Sequence, residues 1–280
     1  MKEKIVYGST LPNAYHRALI QLHDSGEIAD CADWNTKQKE LSMTMVVTEP
    51  LKEPMISKCF IGGQKELEQY RQEMLDGILD FEVERGNWDY TYHDRMVNYP
   101  IIQKKYNKQL PNATFLSVDS VNQIDFVIAE LKRNPSSRRA VIVIRDVGQD
   151  TESSDAACMQ NIQYFIRDGK LDCKVLFRSN DACKATFMNA FALICLQERI
   201  ANKLGIPVGQ YVHRANSFHC YEQDFGLLDG YVLRIEDAED KYDVCYDYKG
   251  DWEEDMAEYR DEIMEQVEVL KARGKENDDR

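Results

Sequence analysis

The sequence predicts one main α+β domain, and three observations predict it. Apolar residues recur at helical spacing in several separated segments. Between these stand short alternating or continuous apolar runs bounded by polar turns, the pattern of strands. The length of 280 residues, 43 % of them hydrophobic, is ample for one well-cored domain with room for an appended subdomain.

The elements follow in chain order. A helix is expected from about Pro12 to His23, then a polar turn, then an alternating strand from Leu41 to Val47. Helical spacing returns from Gln64 to Leu79. From Phe81 to Ala113 aromatics and charges show little period, which suits a long irregular region that carries function. Val121, Ile124, Val127, Ile128 and Leu131 then fall on one face of a helix ending near Lys132. Ala140 to Ile144 is apolar without interruption, as in a strand buried on both faces. Asn161 to Arg167 alternates, turns at Asp168-Gly169-Lys170 and returns from Asp172 to Phe177, which reads as a hairpin. Met188 to Leu204 is apolar almost all round, the mark of a central buried helix, and Gln210 to Ala215 is a further strand. The last fifty residues turn acidic before a helical run to about Ala272, which reads as a solvated face with a frayed end. No internal repeat is present.

Charge and cysteine usage exclude several function classes. A net charge of −14 argues against a general nucleic-acid binder, so any phosphate site must be local. No apolar run approaches the roughly 20 residues that span a bilayer, and Met1-Lys2-Glu3-Lys4-Ile5 has no signal-like apolar stretch. The expected location is cytoplasmic. The eight cysteines contain no C-x-x-C pair, so reduced thiols and no metal centre are expected. Cys173, Cys183 and Cys195 lie in apolar runs, as small core residues do. Cys158 differs, since it follows the polar stretch Gln149 to Asp155 and precedes an alternating strand, where a loop enters a sheet.

A cysteine acts as a covalent catalyst when its thiolate is accessible and a cation or donor stands nearby. Arg178, twenty residues on, supplies one. Arg138 and Arg139 sit side by side at the mouth of a strand, where they repel unless an anion or carboxylate lies between them. A surface ion pair is the plain explanation. The sharper one adds Arg178 and Ser179 and gathers all four around one phosphate dianion, that of a nucleoside monophosphate, because no Walker-type glycine loop is present. Asn189, at the start of the apolar helix, is either a helix cap or a reader of a pyrimidine edge. An amide can accept from N3–H and donate to O4 of uracil, whereas an aspartate would suit cytosine.

The ordered set Ser137-Arg138-Arg139, Cys158, Gln163-Tyr164, Asp168-Gly169-Lys170-Leu171, Arg178-Ser179-Asn180-Asp181, Asn189 and His219-x-Tyr221 resembles thymidylate synthase and the related pyrimidine-nucleotide hydroxymethylases. Tyr106-Asn107-Lys108-Gln109 resembles the family's Tyr-Gly-Lys-Gln segment, and the likeness covers about residues 60 to 225. It implies a mixed, mostly antiparallel sheet flanked by helices, with a sheet face as the interface of a homodimer that shares its active sites. It implies a catalytic domain over 1–235, followed by the acidic helical extension over 236–280. Cys158 would add to C6 of dUMP, making C5 a nucleophile for the one-carbon unit of 5,10-methylenetetrahydrofolate. Arg178 and Ser179 would hold the phosphate, with Arg138 and Arg139 reaching it from the second subunit. Asn189 would read the base, and His219 and Tyr221 would bind the 3′-hydroxyl. Asp181 would contact the pterin, with Tyr92 in the folate-contacting segment. Glu66 would organise proton transfer, which calls for a carboxyl raised by burial. Tyr106 and Gln163 would sit close to the nucleophile, and Lys37 or Lys39 would replace a mobile phosphate-binding arginine.

Departures bear on the product. The family's Pro-Cys-His is Ala157-Cys158-Met159 here, its Gly-x-Pro-Phe-Asn turn is Ala185-Thr186-Phe187-Met188-Asn189, and its Trp-rich segment is Tyr92-His93-Asp94-Arg95. The family's apolar C-terminal tail, which closes over the folate, has no counterpart in the acidic end. If water enters, the product is hydroxymethyl rather than methyl. The sequence therefore leaves three readings: a synthase giving dTMP, a dUMP or dCMP hydroxymethylase, and a nucleotide-binding relative without catalysis. Asn189 favours dUMP over dCMP.

Overall fold

The computed structural model describes residues 1–106 and 114–278. The first part of the chain runs β1 (Glu3–Gly8), α1 (Leu11–Ser25), β2 (Glu27–Cys31), β3 (Thr36–Val47), β4 (Ile56–Ser57) and α2 (Gln64–Asp76). The middle holds α3 (Phe81–Glu84), α4 (Tyr92–Val97), β5 (Tyr99–Tyr106), β6 (Thr114–Val121), α5 (Gln123–Arg133), β7 (Val141–Val143) and α6 (Val147–Asp150). The remainder is β8 (Met159–Arg167), β9 (Lys170–Asp181), α7 (Thr186–Leu204), β10 (Val208–Tyr221), α8 (Phe225–Glu236), β11 (Cys245–Tyr246) and α9 (Glu253–Asp278).

The main sheet has the order β1-β3-β10-β9-β8-β7, with β2 paired to β3. Only β1 with β3 and β10 with β9 run parallel, so the sheet is mixed and mostly antiparallel, as expected. Helices α1, α5, α7 and α8 pack on one face. The α7 helix buries residues from Thr186 to Ala201 on most of its circumference and stops at Gly205, whose φ of 70° is the left-handed cap that glycine adopts without strain. The hairpin β8–β9 turns through Asp168 and Gly169, both at positive φ.

Among the described residues no helix packs on the other face of the sheet. One register row runs Tyr7, Val46, Val212, Lys174, Gln163, Val141, and the next runs Ile5, Thr44, Arg214, Leu176, Asn161, Val143. This corrects the reading of Ala140 to Ile144 as buried on both sides. Ala140, Ile142 and Ile144 are fully buried, but Val143 between them is 40 % exposed, because β7 is an edge strand covered on its helix side only.

Three further expectations change. The stretch from 81 to 113 is not irregular throughout, for it contains α3, α4 and β5, and β5 pairs with β6 in a separate ribbon held by its own ladder rather than by the main sheet. Val121 ends β6 instead of opening the helix, since the Asn122 side chain caps α5 by accepting from the Asp125 N–H at 3.0 Å. The acidic C-terminal helix is not merely a solvated face. Met256 enters the main core, and Ile263 and Val267 pack with Ile78 and Leu79. Among the described residues no helix is long and apolar enough to cross a membrane.

Candidate active site

Cys158 stands immediately before β8, half-buried, at the junction of loop and sheet. Its carbonyl accepts from the Arg178 N–H at 2.8 Å. The Arg178 guanidinium donates to the carbonyls of Ala156 at 2.6 Å and Ala157 at 3.2 Å, so one side chain fastens the loop that carries the nucleophile. Burial pushes the Cys158 thiol up, Arg178 pulls it down and Asp155 pushes it up again, leaving it above its ordinary value. The cation expected beside the thiol is present, and desolvation outweighs it.

The parallel register of β9 and β10 sets Ser179 opposite Ser217 and Asp181 opposite His219. Ser179 Oγ lies 3.4 Å from His219 Nδ1, and the His219 and Tyr221 rings meet edge to face at 4.8 Å. Burial lowers the His219 pKa, so the ring is neutral near pH 7. Its Nε2 is buried without a hydrogen-bond partner among the described residues, an orphan of the kind that a ligand hydroxyl satisfies. Asp181 Oδ1 accepts from the N–H groups of Cys183 and Lys184, both at 2.9 Å, fixing the turn into α7.

Asn189 is not a cap. Ala185 holds that position, and Asn189 points inward at 4 % exposure, where Tyr70 of α2 donates its hydroxyl to the amide Oδ1. A cavity of about 460 Å³ opens beside this pair, lined among others by Tyr70, Glu73, Trp88, Tyr90, Tyr92 and Asp155. Cys158 is close enough that its charge raises the pKa of Tyr70, Tyr90 and Tyr92, after burial, the main cause in each. The Tyr92 hydroxyl also accepts from the Met159 N–H at 3.4 Å.

Glu66 requires a correction. It is exposed, its carboxylate accepts from the Gly63 N–H at 2.8 Å as part of the α2 cap, and that backbone bond lowers its pKa where proton transfer called for a raised one. The carboxyl that meets the requirement is Glu73, two turns on, which burial raises and which faces the cavity. Tyr70 and Glu73, three residues apart on one helical face, were missed. So was Asp155. The readable signal was that spacing, Tyr70-x-x-Glu73, ahead of the aromatic run Trp88 to Tyr92.

Other candidates are not brought to Cys158 within the chain. Gln163 lies five residues along β8, roughly 16 Å away at strand rise. Its amide donates to the Arg138 carbonyl at 3.0 Å on the uncovered face, and Arg138 and Arg139 are both exposed beside it. Lys39 donates to the His23 carbonyl at 3.2 Å, and Lys37 is exposed. Tyr106 ends β5, while its side chain and Asn107, Lys108 and Gln109 lie outside the described residues. Among the described residues no cluster suited to a metal ion occurs.

Comparison with known proteins bears on the family and the fold. A sequence model of the thymidylate synthase family matches residues 59–261. A putative thymidylate synthase of Methanocaldococcus jannaschii is 31 % identical over 79 % of this chain and 93 % of its own length. One from Methanosarcina barkeri is 27 % identical over 83 % of this chain and 96 % of its own. Among solved structures, thermostable thymidylate synthase A from Bacillus subtilis is similar in fold, with a TM-score of 0.57 at 18 % identity, covering 80 % of this chain and 84 % of that one.

Proposed function

The chain belongs to the thymidylate synthase family, and from that premise we propose that it transfers a one-carbon unit to C5 of dUMP through a covalent bond between Cys158 and C6, giving dTMP. The observation that carries this reading is the hydrogen bond from half-buried Tyr70 to buried Asn189, beside Cys158. With Oδ1 held by Tyr70, the Asn189 Nδ2 donates to O4 of the base, where charge gathers as the thiolate adds to C6. The second lone pair of Oδ1 accepts from N3–H. Arg178 and Ser179 hold the phosphate, and the open His219 Nε2, with Tyr221, takes the 3′-hydroxyl. Glu73, raised by burial, moves protons at the base near neutral pH, the role first assigned to Glu66.

A reduced pterin fits the cavity on chemistry: Trp88, Tyr90 and Tyr92 offer ring faces, and Asp89 and Asp155 offer acceptors to ring N–H groups. Asp181, expected from the resemblance to contact the pterin, is not among the residues that line it. If bound there, 5,10-methylenetetrahydrofolate would supply both the one-carbon unit and the hydride that reduces it to methyl, leaving as dihydrofolate. Arg138 and Arg139, remote from their own Cys158, serve the phosphate of a partner subunit in a homodimer.

A second reading, the hydroxymethylase, rests on one observation. The described lining of the cavity includes Glu73 and Asp155 and no residue of α9 or the segment before it, so nothing from the C-terminus is seen to exclude water. Tritium release from C5-labelled dUMP tests both readings, with labelled dCMP in parallel and Cys158→Ala as control. Release from dUMP that vanishes in the variant is the expected result, and the mass of the product then separates methyl from hydroxymethyl. Release from neither nucleotide would leave a non-catalytic nucleotide binder as the better reading.

A further inference from the structure

The cavity beside Cys158 is acidic, and so is a second cavity that adjoins it. Glu73, Asp89 and Asp155 line it, and no lysine or arginine does among the described residues. A second cavity of about 440 Å³ adjoins it, sharing Trp88 and Asp89, and adds Asp94, Asp150 and Glu152. Its one cation is Arg95, whose guanidinium is 2 % exposed and already committed to Asp150 Oδ1 at 3.0 Å and the Ile144 carbonyl at 3.1 Å. Ser153 Oγ donates to Asp89 Oδ2 at 2.6 Å and ties the two walls together. Five carboxylates, Glu73, Asp89, Asp94, Glu152 and Asp155, thus face one trench without a free cation among its described residues. Burial raises the carboxyls of Glu73 and Asp94, the mark of anions held where water screens them poorly.

We propose that this site selects a pterin one-carbon carrier by the charge of its arm, accepting a neutral, cationic or short arm and disfavouring the polyglutamyl chain. The inference rests on the reading of the cavity as the carrier's site. The aromatic walls take the ring without regard to charge, whereas each glutamate added to the arm brings a carboxylate within a screening length of the trench. At separations of about 8 Å and partial solvent screening, like charges of this kind weaken binding by roughly threefold each.

The quenching of Trp88 fluorescence, with the intact protein and dUMP present and Trp88→Phe as the control for signal origin, reads binding independently of turnover. The probes are an armless tetrahydropterin, tetrahydrofolate monoglutamate and tetrahydrofolate pentaglutamate. The pentaglutamate is expected to bind at least tenfold more weakly than the monoglutamate. The gap should close at about 1 M salt, where the screening length is roughly 3 Å. It should also narrow in Asp89→Asn and Asp155→Asn. Equal or tighter binding of the pentaglutamate, or a penalty indifferent to both salt and substitution, overturns the proposal. If even the armless pterin fails to bind, the cavity is no carrier site and the functional reading falls with it. Binding of the armless pterin with no charge ladder sinks the arm selection alone.

Discussion

Arg178 acts on Cys158 in two ways that differ in reach. Its guanidinium pins the carbonyls of Ala156 and Ala157, and its charge opposes the burial that keeps the thiol protonated. The thiol pKa is raised overall, so the thiolate population grows only as pH climbs past the ordinary cysteine range. Alkylation of Cys158 by iodoacetamide, followed site by site by mass spectrometry, should show its inflection above that of a free cysteine. In Arg178→Ala the inflection should move further up, with a several-fold lower rate at neutral pH. An inflection that moves down would mean that the arginine's hold on the loop keeps the sulfur covered, and that its charge is of little account.

At the scale of elements, α2 joins the site to the far end of the chain. Glu68, fully buried, receives Arg71 at 2.6 and 2.8 Å, Gln72 at 3.1 Å and Arg260 of α9 at 2.8 Å. Burial works against this charge, Arg71 and Arg260 more than offset it, and the carboxyl sits below its ordinary value. Its contribution to stability is therefore in place above the unfolded carboxyl's pKa and is lost as pH falls through the lowered one. In urea unfolding at pH 7, Glu68→Ala should cost about 3 kcal/mol, since it strands a half-buried arginine, and Arg260→Ala only about 1 kcal/mol, since it is largely in water. Equal losses would show that the tie to α9, and not the bond to Arg71, holds α2. The same cluster shows why α2 was read as an element and misread as a site. The polar run from Gln64 to Asp76 announces a helix, but which polar groups turn inward is decided by α9, nearly two hundred residues on, and by the aromatic wall around Tyr90. The resemblance pointed to Glu66 as the proton carrier, and in the structure its carboxylate caps α2. Where the signal was local, as in the Asp168-Gly169 turn or the apolar α7, sequence and structure coincide. The candidate residues on β9, α7 and β10, from Arg178 to Tyr221, could be placed from the sequence because each sits on such an element.

For the molecule as a whole, the uncovered sheet face and the displaced arginines pose one question. Ile5 and Tyr7 at one edge are 60 % and 58 % exposed, Val143 at the other is 40 % exposed, and Val46, Val212 and Leu176 lie between them on the same face. A face of this composition is costly in water, and a second copy docked by a two-fold axis would bury both at once. Arg138 and Arg139 border that face, beside Gln163, which itself lies roughly 16 Å along β8 from Cys158. The proposed dimer therefore makes each site from two chains, the thiol from one and the phosphate-binding pair from the other. Arg138→Ala and Cys158→Ala chains, each nearly inactive alone, should recover activity when mixed and allowed to exchange. Random pairing puts both chains in about half of the dimers, and each of these contains one intact site, so about a quarter of the sites revive. Mixing two preparations that both lack Cys158 gives no such rescue and fixes the baseline. Exchange demonstrated by mass labelling, yet without recovery, would mean that Arg138 does not serve the neighbour's phosphate, and the uncovered face would then need another occupant.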